Sequence, residues 1–189
     1  MKSRYNVSFL KEKPTSLFFE VNQTHSNIIV SLNEVKKSKS LISADGISWR
    51  DEDFNLQDGI AIKTADCLSI FIQGECQYYL LHAGWRGLKN KILSNIHAPL
   101  SATIFPSIKK CCFEVSPDFY KNFQNSLNFS LKNGKIYFDM VSEARQQLEK
   151  ISPNIKFSID ANCTFCSKKN FHSFRRDKTD LRNYTLVTN

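Results

Sequence analysis

GIAIKTADCLSIFIQGECQYYLLHAGWRGLKNKILSNI, residues 59–96, decides how the fold is read. GIAIKT (59–64), LSIFI (68–72) and QYYLL (77–81) are apolar runs of strand length, rich in β-branched and aromatic side chains. QGEC (73–76) supplies a turn between the last two. RGLKNKILSNI (86–96) places Leu88, Ile92, Leu93 and Ile96 at helical spacing, which predicts a helix. The strand-to-helix turn between them holds His82, Gly84, Trp85, Arg86 and Gly87, where small turn-forming residues alone would suffice.

On the N-terminal side, SLFFEVNQT (16–24) and NIIVSL (27–32) look like two more strands, followed by a charged, serine-rich connection (33–40). On the C-terminal side, SATIF (101–105), KIYFD (135–139) and KFSID (156–160) are strand-like. SPDFYKNFQNSL (116–127) has Ser116 at an N-cap position and Pro117 at the first helical position. MVSEARQQLEKI (140–151) puts Val141, Ala144, Leu148 and Ile151 on one face, with Asp139 as its cap. Strands and helices alternate only in the second half. The expectation is therefore an α/β (α+β) fold, a mixed β-sheet with helices packed against it. No repeat or linker interrupts the chain, so residues 1–189 are read as one domain.

Hydrophobic residues make up 41% and charged residues 23%, which excludes wholesale disorder. Fifteen phenylalanines point to a core built with rings. No run approaches the roughly 18 apolar residues of a membrane helix, and the first residues, MKSRYNVSFLKEKP, lack a signal-peptide core. A soluble, cytoplasmic protein is expected, with no membrane partner. The formal charge of +8 favours anionic partners, but VKKSKS (35–40), SIKK (107–110) and SKK (167–169) are scattered. That pattern reads as a solvated surface and disfavours nucleic-acid binding.

Four features stand apart from core building: His25 in NQTHS, Asp66 and Cys67 in KTADCLSIF, His82 in LLHAGWRG, and the arginine-rich NCTFCSKKNFHSFRRDKTDLR (162–182). Each alone has a bland reading. A histidine at a strand end is usually packed, a single cysteine is a small hydrophobe, and an Arg-Arg pair is surface. Together, two imidazoles and a thiolate at strand ends converge if their strands are sheet neighbours. Three N, N and S ligands with an open fourth position suit catalytic zinc. The same donors also suit copper. Asp66 could orient a ligand imidazole or carry a proton. A competing metal reading joins Cys163-x-x-Cys166 to Cys111 and Cys112. It is disfavoured because a zinc ribbon needs two separated CxxC hairpins, and adjacent cysteines in a strand point to opposite faces.

NQTH, TADCLSIFI, HAGWRGL, CCFEV and NCT followed by FHSFRRDKT occur in that order. The chain thereby resembles the YfiH-like laccase-domain family, the "multicopper polyphenol oxidases". Its members are described as zinc-dependent purine nucleoside phosphorylases with adenosine deaminase and methylthioadenosine phosphorylase activity. The resemblance implies His25, Cys67 and His82 as metal ligands. It also implies a mixed-sheet sandwich similar to the catalytic domain of cytotoxic necrotizing factor deamidases.

Departures from the family pattern are specific. The longer N-terminal region with a glycine-glycine-serine turn has no counterpart in the motifs above, and substrate contacts from it are expected to be absent or replaced. The G-P-x-I-G turn appears as FPSIKK, His172 stands where a second phenylalanine is common, and Leu181 replaces a glycine.

The implied substrates are purine nucleosides and phosphate. Arg86, Arg175 and Arg176 are expected to hold phosphate by forked hydrogen bonds, Asp66 to assist proton transfer to the departing base, and Phe171 and Phe174 to stack on it. Deamination would use zinc's lowering of the pKa of water to about 7. A copper-dependent, laccase-like phenol oxidase is one alternative, although four histidines are few for several coppers. A non-enzymatic nucleic-acid- or anion-binding domain is another. Oligomeric state is not legible.

Overall fold

The computed structural model describes residues 4–189. In chain order the strands are β1 (Asn6–Leu10), β2 (Ile29–Ser31), β3 (Gly46–Trp49), β4 (Gly59–Thr64), β5 (Leu68–Gly74), β6 (Tyr78–Ala83), β7 (Pro99–Ile104), β8 (Glu114–Val115), β9 (Phe129–Lys132), β10 (Lys135–Phe138), β11 (Lys156–Ile159) and β12 (Asn183–Thr188). The α-helices are α1 (Leu32–Lys37), α2 (Trp85–Lys89), α3 (Met140–Ile151) and α4 (Phe174–Asp177).

A six-stranded mixed sheet of order β11-β7-β5-β6-β3-β2 is central. β11–β7 and β3–β2 run parallel, and the pairs between them are antiparallel. Side chains alternate across it, as strand geometry requires. Leu68, Ile70, Ile72 and Leu81 face Leu88, Ile92, Ala144 and Leu148, the helical side. Phe71, Leu80, Ile47 and Trp49 face Ile60, Ile62 and Val187 of an antiparallel β1-β12-β4 sheet. Burial on both faces explains why β5 and β6 read as continuous apolar runs rather than alternating ones. A small β8-β10-β9 sheet completes the fold, so the mixed-sheet α/β architecture is as expected. Among the described residues no helix is long and apolar enough to cross a membrane.

Several local expectations change. Residues 16–24 form no strand. The chain runs extended and makes only isolated bridges, Phe19 to Ile60 and Asn22 to Ser43, because it passes from one sheet to another. The connection at 33–40 instead contains α1, whose start is a capping box between Ser31 and Glu34. The helix over 86–96 is broken. α2 ends at Lys89, Lys91 adopts φ 60, and a 3₁₀ turn carries Ile92–Asn95. Leu88, Ile92, Leu93 and Ile96 are nevertheless all buried, so the apolar spacing marked burial and not hydrogen bonding. Residues 117–122 form a 3₁₀ helix without a side-chain cap from Ser116. Packing of Phe119 and Phe123 on Phe138, at ring distances of 5.4 and 4.5 Å, holds that segment in place. α3, by contrast, begins as expected, with Asp139 accepting from Ser142 N–H at 3.0 Å. Finally, Cys111 and Cys112 lie in a turn and not in a strand, which removes the objection that they must diverge.

Candidate metal centre and cleft

β5 and β6 are antiparallel neighbours, with Leu68 opposite Ala83 and Ser69 opposite His82. Cys67, one residue before β5, therefore sits beside the end of β6, diagonal to His82. The segment carrying His25 reaches the same place by two ties. Gln23 donates to the Lys63 carbonyl at 2.7 Å and accepts from the Lys63 N–H at 2.9 Å, stitching the segment to β4. The second tie is Asp45, the residue before β3.

Asp45 is fully buried and was not recognised from the sequence. Its carboxylate accepts from the backbone N–H groups of Thr24, His25 and Ser26, from the Ser26 hydroxyl, and lies 2.7 Å from His82 Nδ1. One carboxylate thus shapes the loop that presents His25 and orients the ring of His82. The only signal in the sequence was a lone acid in ADGISW, a stretch otherwise too apolar for a surface loop.

The donor atoms of His25, Cys67 and His82 lie within 4.8 Å of one another. His25 Nε2 is 4.0 Å from Cys67 Sγ, and the two imidazoles meet edge to face at 4.7 Å. With His82 Nδ1 engaged by Asp45, Nε2 is the nitrogen left open to a metal. Gly84 leaves the room. A Cβ there would stand 2.8 Å from Cys67 Sγ and 3.3 Å from His25 Cδ2. His25 (φ 61) and Asp66 (φ 92) hold left-handed backbone, a conformation costing about 1–3 kcal/mol each outside glycine. Two nitrogens, one sulfur, an orienting carboxylate and a glycine cradle fit a single tetrahedral metal with one open position.

The charges agree with that fit. Burial raises the Cys67 thiol, but the positive charge and hydrogen bonds of His82, with those of His25, outweigh it and bring it down to about 6. Burial lowers His82, while the Cys67 charge and the Asp45 hydrogen bond raise it to about 9. Burial likewise raises Asp45, and the hydrogen bonds from His82 and Ser26 overcome this and hold it at about 2. In the metal-free site each of the three groups is thus shifted toward its charged form by its neighbours.

These donors open into a cleft of about 730 Å³, the size of a small-molecule site. Lys63, Arg86, Arg175, Lys178 and Arg182 line it, with Asp66 as an acid on its wall. Arg86 is exposed and stacks over Trp85 at 4.7 Å. Arg175 lies over Phe113 at 5.2 Å and donates to the Glu114 carbonyl at 2.7 Å. Phe174 stands half exposed on the lip.

Other expected residues have different surroundings. Asp66 accepts from the Thr164 hydroxyl and from the Arg175 N–H, both at 2.7 Å, so both oxygens tie down the C-terminal segment. The ring of His82 is oriented by Asp45 instead. Arg176 does not line the cleft. It donates to the carbonyls of Thr164, Phe165 and Phe171 and pairs with Asp177, leaving its guanidinium turned into its own segment. Phe171 is buried edge-on against Phe9 and also lies outside the cleft.

Fold and cleft together define an α/β protein with a candidate single-metal site at the ends of its sheet strands. The chain belongs to the family described as multi-copper polyphenol oxidoreductase laccase, whose model matches residues 4–188. A protein of Aquifex aeolicus named purine nucleoside phosphorylase is 39% identical over 87% of this chain and 79% of its own length. One of Borreliella burgdorferi with the same name is 27% identical over 93% of this chain and 89% of its own. The crystal structure of a Neisseria meningitidis protein superposes with a TM-score of 0.78 at 26% identity, over 92% of this chain and 75% of its own.

Proposed function

We propose that the protein is a zinc-dependent purine nucleoside phosphorylase acting on adenosine, inosine or methylthioadenosine, with His25, Cys67 and His82 holding the metal. The observation that carries this reading is an N, N, S donor set at the base of a cleft whose other polar walls are mostly cationic. The relatives' name supplies the substrate class. When bound, zinc supplies Lewis acidity toward a substrate oxygen or water.

The chain's own residues supply the rest. Phosphorolysis breaks the N-glycosidic bond, forms a bond from phosphate oxygen to the anomeric carbon, and moves the proton of hydrogen phosphate to the departing base. The cleft must therefore concentrate and orient a dianion beside an apolar base. Arg86, stacked over Trp85, and Arg175, lying over Phe113, are the cations placed for that purpose. Phe174 offers its exposed face to the base. Asp66 keeps the N–H of Arg175, and with it α4, in place, and the role assigned to it here is positional. Adenosine deamination at the same centre is a second activity to assay.

Multi-copper phenol oxidation has weaker support from the donors. Only His25 and His82 of the four histidines join a donor cluster among the described residues. The test is hypoxanthine release from inosine by metal-replete protein, with and without phosphate. Release that requires phosphate and disappears in His82→Ala supports the proposal. Folded, metal-replete protein that turns over no nucleoside refutes it.

A further inference from the structure

Two turns far apart in sequence meet on one flank of the fold. The first follows β7 and contains Lys109-Lys110-Cys111-Cys112, closed by the Cys112 and Phe113 N–H groups on the Lys109 carbonyl at 2.9 and 3.0 Å. The second, Cys163-Thr164-Phe165-Cys166, is closed by the Ser167 N–H on the Cys163 carbonyl at 2.9 Å. A bridge between Ser107 and Cys163 joins them, with Thr164 N–H on the Ser107 carbonyl at 3.1 Å. The Lys109 N–H points at Cys163 Sγ from 3.4 Å, the type of donor that stabilises a thiolate.

All four sulfurs lie within 4.8 Å of one another, and Cys111 Sγ is 3.9 Å from Cys166 Sγ. Four thiolates around one zinc at about 2.3 Å, in a tetrahedron, stand about 3.8 Å apart. From this geometry we infer a second metal site: a structural zinc held by Cys111, Cys112, Cys163 and Cys166. It is distinct from the cleft site in residues and in chemistry, with no open position for substrate.

Charge supports the assignment. Four thiolates and one zinc carry a net −2. Lys109 and Lys110 directly precede one cysteine pair, and Lys168 and Lys169 follow the other by one residue. Two of the basic dipeptides that look scattered along the chain thus adjoin the same four cysteines. Binding replaces four thiol protons with one cation, so the site tightens as pH rises.

The position gives the metal a purpose. Ile108 N–H bonds the Asp66 carbonyl, Thr164 bonds the Asp66 carboxylate, and Phe113 and Glu114 hold Arg175. The cysteine site would brace the cleft wall from behind, joining two loops that share few backbone bonds. This inference does not depend on which reaction the cleft performs.

The test is metal stoichiometry on untagged, zinc-replete protein purified anaerobically. We expect two zinc ions per chain in the wild type, one in Cys67→Ser and one in Cys111→Ser/Cys166→Ser. One ion in the wild type that vanishes in Cys67→Ser overturns the site. So does a thiol count of four in the unfolded, unreduced wild type, which would mean a disulfide. Should the double variant fail to fold, Cys67→Ser loaded with cobalt decides the matter. Strong thiolate-to-cobalt charge-transfer absorption in that variant supports a four-cysteine site, and its absence refutes one.

Discussion

Asp45 Oδ1 stands 2.7 Å from His82 Nδ1 in a place that solvent does not reach, while the same carboxylate takes the N–H groups of the turn presenting His25. Two of the three candidate donors therefore depend on one acid that lies outside the donor set.

Asp45→Asn keeps the shape but removes the charge and half of the acceptor capacity. Zinc affinity should fall about 10–100-fold, the usual cost of losing a ligand-orienting partner. The metal-free fold should lose about 2–3 kcal/mol through weakened charge-assisted hydrogen bonds. Competition titration with a chromophoric chelator and thermal melting measure the two. Unchanged zinc affinity would show that Asp45 serves the loop alone.

Gly84→Ala tests the cradle. A Cβ 2.8 Å from Cys67 Sγ forces the thiolate or the turn to move. Zinc affinity should drop at least roughly tenfold, with the secondary structure kept. Should the alanine variant bind zinc like the wild type, the glycine is not there for the ligands.

Arg86 and Arg176 separate binding from scaffolding. Arg86→Ala should raise the KM for phosphate about tenfold and leave the melting temperature near that of the wild type. Arg176→Ala strips donors from the carbonyls of Thr164, Phe165 and Phe171, and should cost about 1–2 kcal/mol of stability. Steady-state kinetics beside melting curves distinguish them. The reversed pattern would move the phosphate site from one arginine to the other.

What could be read in advance followed from local physics. β4 and the β5–β6 hairpin announced themselves as strand-length, largely apolar runs, because both faces of these strands are buried. α3 announced itself through its cap at Asp139 and its periodic face. His25, Cys67 and His82 were drawn together by one conditional, that their strands be neighbours. It holds for Cys67 and His82 through β5 and β6, while His25 sits on no strand and arrives through Asp45 and Gln23. What stayed hidden was non-local. β12 pairs with β1 and β4 across nearly the whole chain, and no turn chemistry signals it. Asp45 carries no motif, since a buried acid is recognisable only once its partners surround it. The four cysteines converge through a bridge between residues 107 and 163, and the adjacent pair looked divergent only while it was assumed to be a strand. The break at Lys91 escaped because a helix and a 3₁₀ turn can bury the same apolar set.

The central claim is that metal chemistry in this cleft runs through Cys67 and its two histidines. The most direct measurement strips the protein with a chelator, restores zinc, and follows phosphate-dependent hypoxanthine release in the wild type and in Cys67→Ser. Turnover should vanish on stripping and return with zinc in the wild type, and never appear in Cys67→Ser. Equal turnover by the stripped protein, or by folded Cys67→Ser, would contradict the account.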